Sequence, residues 1–160
     1  MTGFRRGVRL GIDVGKARVG VSRCDPDGML AVPVETVPRT EASVQRIAEL
    51  VREWEPLEVV VGLPVNMRGE DTPSTTDARD FARAVGRSTG VAVRLVDERL
   101  STVTAHAALR SSGRSQKKSR SIVDQVAAVV LLQHAVDTEK STGNPAGATI
   151  DLDEESRSDD

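Results

Sequence analysis

Residues 7–22 contain two runs of aliphatic and β-branched residues joined by a tight turn at residues 15–17. This pattern is typical of a β-hairpin. A third run, residues 30–37, follows a turn over residues 25–28 whose composition is Asp-Pro-Asp-Gly, and it predicts another antiparallel strand. The chain is therefore expected to begin with a three-stranded meander.

Apolar spacing in the rest of the chain alternates between the periods of helices and strands. Two nearly continuous apolar runs, residues 57–63 and 91–96, are typical of strands covered on both faces. Helical spacing predicts helices over residues 40–55, 74–87, 101–109 and 122–136. The order predicts an α/β fold with a mixed five-stranded sheet, three antiparallel strands and then two parallel ones, flanked by helices.

The end of the chain differs in composition from the body. Residues 141–160 contain Gly, Pro, Ser and acids but few apolar residues, so we expect a disordered acidic tail after one domain spanning residues 1–140. The 160-residue chain has a net charge of −2, yet its last ten residues alone carry −5. The body is therefore mildly basic, with a net charge of +3.

Composition excludes several classes of protein. With three aromatic residues and no Tyr, base-stacking platforms are not expected. No apolar run approaches the length of a membrane span and no signal-peptide pattern is present, which predicts a cytoplasmic protein. Cys24 has no second cysteine with which to form an internal disulfide, and we interpret it as a small hydrophobic residue.

Three carboxylates lie where strands or helices meet the expected sheet. Asp13 lies within an apolar strand, where an anion needs a compensating partner or a metal ion. Glu98 follows another strand, and alternation allows only one of Asp97 and Glu98 to face such a site. Asp124 falls in the apolar helix. Each has a structural alternative: a turn-adjacent Asp13, an ion pair between Glu98 and Arg99, and a helix cap at Asp124.

Several segments together resemble the YqgF family, in the order that the family shows. The segments are residues 10–15 (LGIDVG), 18–22 (RVGVS), 61–69 (VGLPVNMRG), 97–102 (DERLST) and 124–128 (DQVAA). The resemblance implies an RNase H-like fold and a nuclease that matures the 5′ end of pre-16S ribosomal RNA. Holliday junction resolution is the other activity that it implies.

The resemblance also implies the site residues and the cofactor. Asp13, Glu98 and Asp124 take the positions of the family's acidic site, with Asp13 as the ligand shared by two ions when substrate is bound. Mg²⁺ or Mn²⁺ is the expected cofactor, because Mg²⁺ prefers oxygen ligands and two such ions can promote phosphodiester hydrolysis. The expected partners are pre-rRNA or branched DNA, ribosomal precursor particles and, for junction cleavage, a second copy of the chain.

A basic segment and a loop residue are candidates for nucleic-acid contacts. The basic candidates are Arg99, Arg114, Lys117, Lys118 and Arg120. Such side chains position phosphates without reading sequence, although a solvated loop has the same composition. Asn66 lies in the loop after the fourth strand, and Asn-x-x-Gly there suits either a cleft wall or an ordinary turn.

Two other classes compete with a nuclease. Actin-like ATPases share a strand bearing Asp-x-Gly, but they close two lobes around ATP and this chain has material for one. A non-catalytic nucleic-acid or ribosome-assembly module is the other alternative. The sequence does not separate RNA from DNA as the substrate, because recognition of the 2′-hydroxyl depends on groove geometry.

Overall fold

The structure is a computed structural model that describes residues 3–98 and 116–152, with side chains described over 3–98 and 125–152. The strands are β1 Arg9–Val14, β2 Arg18–Cys24, β3 Ala31–Pro38, β4 Glu58–Leu63, β5 Val93–Asp97 and β6 Ala148–Thr149. The helices are α1 Ser43–Trp54, α2 Pro73–Thr89 and α3 Gln116–Thr142.

All the described strands form one mixed sheet with the order β3-β2-β1-β4-β5-β6. β1, β2 and β3 pair antiparallel, whereas β1, β4 and β5 run parallel, which confirms the predicted mixed sheet. The predicted strand count of five was wrong, because β6 adds an antiparallel edge beside β5. This short strand depends on Gly147, whose positive φ and close approach to the Leu95 carbonyl leave no room for a Cβ.

Helices cover both faces of the sheet. Successive side chains of β4 point to opposite faces of the sheet. Val59 and Val61 lie in the apolar cluster that includes residues of α1 and α2, and Val60 lies in the cluster beneath α3. Cys24 is 1% exposed in this second cluster, in agreement with its interpretation as a small hydrophobic residue.

Helix α2 begins where the sequence supplies a cap. Thr72 and Thr75 form a reciprocal capping box, and Pro73 occupies the first turn, where its missing N–H is not needed. The Thr75 hydroxyl also donates to the Pro64 carbonyl. The helix is thereby fastened to the segment that leaves the carboxyl end of β4.

One prediction about the second half of the chain was wrong. Helix α3 runs from Gln116 to Thr142, so it begins before residue 122, the predicted start of the last helix. Residues 141 and 142 complete α3, residues 148 and 149 form β6, and Ile150 is 8% exposed. The remainder of the expected tail and the predicted helix over 101–109 lie outside the described residues, and the boundary at residue 140 stays a prediction.

A buried ion network fastens α3 to the amino-terminal edge of the parallel strands. Arg9, Glu58 and Glu139 are each no more than 3% exposed. Glu139 pairs with Arg5 at 2.8 Å and Arg9 at 3.0 Å, while Glu58 pairs with Arg5 at 2.7 Å and Arg94 at 3.2 Å. Burial acts to raise the pKa of Glu139, but hydrogen bonds from Arg5 and the charges of both arginines lower it to about 2.

Within the described helices, none is long and apolar enough to cross a membrane.

Candidate active site

Asp13 lies near the carboxyl end of β1, between two glycines of neighbouring strands. Its antiparallel partner in β2 is Gly20. On the other side, Ile12 pairs with Val61, so Gly62 of β4 comes next in the parallel register. Neither neighbour carries a side chain, and the partly buried carboxylate therefore has space around it in the plane of the sheet.

Glu98 reaches this space from the end of β5. Its N–H donates to the Leu63 carbonyl at 3.4 Å, which extends the pairing with β4 by one residue. A Cβ added to Gly62 would clash with Glu98 Oε2 and would lie 3.2 Å from Leu131 Cδ2 of α3. The Glu98 carboxyl group therefore occupies the space that a side chain at position 62 would fill.

The Asp13 and Glu98 carboxyl groups are hydrogen-bonded to each other. Burial, the charge of Asp13, the hydrogen bond with Asp13 and the charge of Asp97 raise the pKa of Glu98 to about 9. The pair consequently shares a proton at neutral pH. Asp97 itself is exposed, so of the two adjacent acids it is Glu98 that contacts Asp13.

Helix α3 lies directly over β1 next to this pair. The Ser22 hydroxyl donates to the Ala128 carbonyl at 2.7 Å, and a Cβ on Gly11 would be 2.8 Å from Leu132 Cβ. The backbone of Asp124 lies four residues before Ala128, one helical turn away. The side chain of Asp124 lies outside the described residues, so its membership of the site stays a prediction.

The carboxyl pair suits a divalent cation. Carboxylate oxygens are the ligands that Mg²⁺ and Mn²⁺ prefer, and a cation can replace the proton that the two groups share. No cluster of three or more His, Cys, Asp or Glu side chains that could hold a metal is present in the part of the chain that the structure describes. The described pair fits such an ion but supplies only two of the three predicted ligands.

Asn66 organises the loop between β4 and α2. Its Oδ1 accepts from the backbone N–H groups of Arg68 and Glu70, both at 2.9 Å, and its amide donates to Glu70 Oε1 at 3.0 Å. These bonds are those of a structured turn, the second of the two interpretations of this motif. A contact between Asn66 and nucleic acid stays a prediction.

Two acidic residues after Gly69, Asp71 and Asp77, form ion pairs with arginines. Asp71 accepts from Arg79 at 3.0 Å, and Asp77 binds both terminal nitrogens of Arg39 at 2.9 and 3.0 Å. The hydrogen bond from Arg39 lowers the pKa of Asp77, whose burial acts the other way. Arg39 also donates to the Gly15 carbonyl at 3.0 Å and so connects the β1–β2 turn to α2.

The basic candidates fall largely outside what the structure describes. Arg99 and Arg114 lie beyond the described ranges, whereas Lys117, Lys118 and Arg120 have described backbones in the first turns of α3. Their contact with phosphates stays a prediction. Sequence reasoning missed Met67, which is 86% exposed at the tip of the loop organised by Asn66. The only sequence signal for it was a large apolar residue inside a turn motif.

The sequence matches one protein family and is similar to several named proteins. The sequence profile of a family described as "RuvX: Holliday junction resolvase" matches residues 7–138. A protein from Clavibacter sepedonicus named "Putative pre-16S rRNA nuclease" is 54% identical over 150 residues, which cover 92% of this chain and 93% of that protein. A protein of the same name from Streptomyces coelicolor is 50% identical over 152 residues, covering 93% and 91%.

Solved structures share the fold at low sequence identity. The structure titled "T. thermophilus RuvC in complex with Holliday junction substrate" matches with a TM-score of 0.56 and 18% identity, covering 89% of this chain and 99% of that chain. A second Thermus thermophilus RuvC structure gives a TM-score of 0.54 at the same identity and coverage. The expected RNase H-like fold is thereby confirmed.

Proposed function

The chain belongs to the RuvX family, and from this premise we propose that it is a divalent-metal-dependent endonuclease that matures the 5′ end of pre-16S rRNA. The family agrees with the resemblance read from the motifs, and the nuclease names of the relatives support a hydrolase of nucleic-acid ester bonds. The observation that carries the proposal is the placement of the Asp13 and Glu98 carboxyl groups together at the carboxyl ends of β1 and β5, with Glu98 lying over Gly62.

Asp13, Glu98 and Asp124 would hold Mg²⁺ or Mn²⁺. Bound there, two such ions supply a more nucleophilic water and neutralise charge on the leaving oxygen. Asp13 has the central position in this proposal, as the ligand that the family resemblance implies is shared by both ions. Glu98 holds a proton at neutral pH when no cation is bound, and it must release that proton to become a ligand.

The glycines around Asp13 let a substrate phosphate come close. Gly20 and Gly62 flank Asp13 in the sheet and present no side chains there. Gly20 adds no Cβ next to Asp13, so a phosphate would approach the carboxylate on that side, while the space over Gly62 holds the Glu98 carboxyl group. Arg99, Arg114, Lys117, Lys118 and Arg120 would position the flanking phosphates, so that binding weakens steeply with salt. Action on ribosomal precursor particles in the cytoplasm belongs to the same proposal.

Holliday junction resolution is the second candidate, favoured by the description of the matching family. Cleavage of a four-way junction on two strands calls for two sites related by a two-fold axis. This function therefore requires a homodimer, whereas maturation of one RNA end does not.

A side-by-side cleavage assay tests the proposal. Purified protein is incubated with Mg²⁺ or Mn²⁺ and either labelled precursor 16S RNA or a labelled four-way DNA junction, and its size is measured in solution. Asp13→Asn should abolish cleavage while sparing binding, and Asp137→Asn, an exposed site on α3, is the matched control. Turnover by the Asp13 variant would remove the carboxyl pair from the mechanism.

The assay also separates the two substrates. Cleavage of RNA alone by a monomer supports rRNA maturation, and symmetric junction cleavage by a dimer supports resolution. Binding of both substrates with cleavage of neither, under all metal conditions, would instead favour a non-catalytic module. The double variant Lys117→Ala/Lys118→Ala should reduce affinity and the salt slope. An unchanged slope would show that these lysines do not contact phosphates.

A further inference from the structure

The loop over residues 64–72, which begins next to Glu98, exposes a large apolar side chain. Met67 is 86% exposed, the highest value among the large hydrophobic residues of the described chain. A single exposed apolar side chain is ordinary on a protein surface. What distinguishes Met67 is its place on a well-bonded loop that begins next to Glu98.

This loop is held rigidly, so Met67 stays extended. Five hydrogen bonds involve Asn66 or close the turn around it, including Gly69 N–H to the Asn66 carbonyl at 2.9 Å and Asn66 N–H to the Glu70 carbonyl at 3.0 Å. Val65 and Asp71 form a β-bridge across its base. A preorganised loop loses little conformational entropy when its tip binds.

The base of the loop adjoins the carboxyl pair. The Leu63 carbonyl accepts from Glu98 N–H, so the loop starts beside the site. Three residues lie between Leu63 and Met67, and the four Cα-to-Cα steps span at most about 14 Å. In a duplex this length corresponds to about four base steps along one strand.

The tip carries an exposed cation. Arg68 is exposed next to Met67 and Asp71 is paired with Arg79, whereas Glu70 accepts from the Asn66 amide, a neutral donor. The tip therefore presents an apolar side chain next to a cation. Proteins that insert apolar side chains, Met among them, between base steps unstack those steps and kink the duplex.

From these observations, and resting on the proposed function, we infer that Met67 is a wedge that enters a base step within a few nucleotides of the scissile phosphate, while Arg68 contacts the backbone. The wedge holds open the end of a duplex region so that the adjoining strand can reach Asp13. Met67 is a positioning residue in this scheme, because it contacts the substrate away from the reacting atoms.

Fluorescence of 2-aminopurine tests the wedge without any need for cleavage. The probe base is placed in turn at each of the steps next to a duplex-to-single-strand junction in an RNA, and the protein carries Asp13→Asn to prevent cleavage. We expect binding to unstack one probe position and raise its fluorescence. Met67→Ala should abolish this rise and weaken binding by about tenfold, whereas Met67→Leu should retain both.

Met29→Ala is the matched control, because Met29 is also exposed, at 72%, but lies in the β2–β3 turn, at the end of the sheet where β1 begins and away from Asp13. An unchanged fluorescence rise in the Met67→Ala protein would overturn the inference. Cleavage by otherwise wild-type protein, measured in parallel, keeps the two proposals apart. If the protein cleaves RNA but no probe base unstacks, the role of Met67 is refuted and the nuclease proposal stands. If a probe base unstacks but the protein does not cleave, the role of Met67 is supported and the nuclease proposal is refuted.

Discussion

Replacing Glu98 by glutamine should stabilise the metal-free protein and abolish cleavage. The side-chain amide of glutamine can donate to Asp13 as the protonated Glu98 carboxyl does, but it needs no proton to do so. Burial and the charge of Asp13 raise the pKa of Glu98 from 4.5 to about 9. In the wild-type protein, folding at pH 7 therefore requires Glu98 to take up a proton that it lacks in the unfolded chain.

The size of the effect follows from the pH interval. Between the ordinary pKa of 4.5 and pH 7, at 1.36 kcal/mol per pH unit, the proton uptake costs up to about 3 kcal/mol. Because the folded-state pKa is raised, the stability difference between variant and wild type is absent below about pH 4.5 and grows as the pH rises toward 9. For a chain of this length we expect a gain of roughly 5–10 °C in Tm at pH 7.

Urea unfolding in EDTA at several pH values between 4 and 9 measures this difference. Glu53→Gln, at an exposed position of α1, is the control and should show no comparable change. A Glu98→Gln protein that is no more stable than wild type at any pH would refute the reasoning, since the shared proton would then carry no cost.

Three further changes test other parts of the structure. Gly62→Ala should displace the Glu98 carboxyl, lower cleavage and destabilise the fold by about 1–3 kcal/mol in urea melts; Gly3→Ala, with no atom within 4 Å of the added Cβ, should do neither. The pKa of Glu139 is lowered to about 2, so its contribution of about 3 kcal/mol is present above pH 4.5 and lost as the pH falls toward 2. Glu139→Gln should reduce stability at pH 7 and flatten this acid dependence, and a variant as acid-sensitive as wild type would contradict it. Ser22→Ala removes the 2.7 Å hydrogen bond to the Ala128 carbonyl, which keeps its helical N–H donor, and should cost about 0.5–1.5 kcal/mol, measured by thermal unfolding; an unchanged Tm would contradict that role.

The fold was predictable where local patterns carry the information. The β1–β2–β3 meander has turn residues and β-branched runs, and the apolar run of β4 indicates a strand covered on both sides. Strand β6 was missed because two residues have no period, and its pairing depends on Gly147 passing under a carbonyl of β5. The polar start of α3 resembles a loop in composition, although Gln, Lys and Arg are good helix formers.

The site was predictable in part. Asp13 was noticeable as an acid within an apolar strand, and motif resemblance selected Glu98 and Asp124. The contact between Asp13 and Glu98 could not be predicted from spacing, because it depends on Gly62 lying between their strands in the tertiary register. Likewise, no local pattern links Arg9 to Glu139, which lies 130 residues further along the chain.

Proton release on metal binding tests the central claim most directly. Mn²⁺ is titrated into the metal-free protein by calorimetry at pH 7 in two buffers that differ in ionisation enthalpy. Since Asp13 and Glu98 share a proton that a cation must displace, we expect release of about one proton per ion bound at this pair, and none from the Glu98→Gln protein. Binding of Mn²⁺ to the wild-type protein without proton release, or no binding at all, would contradict the account.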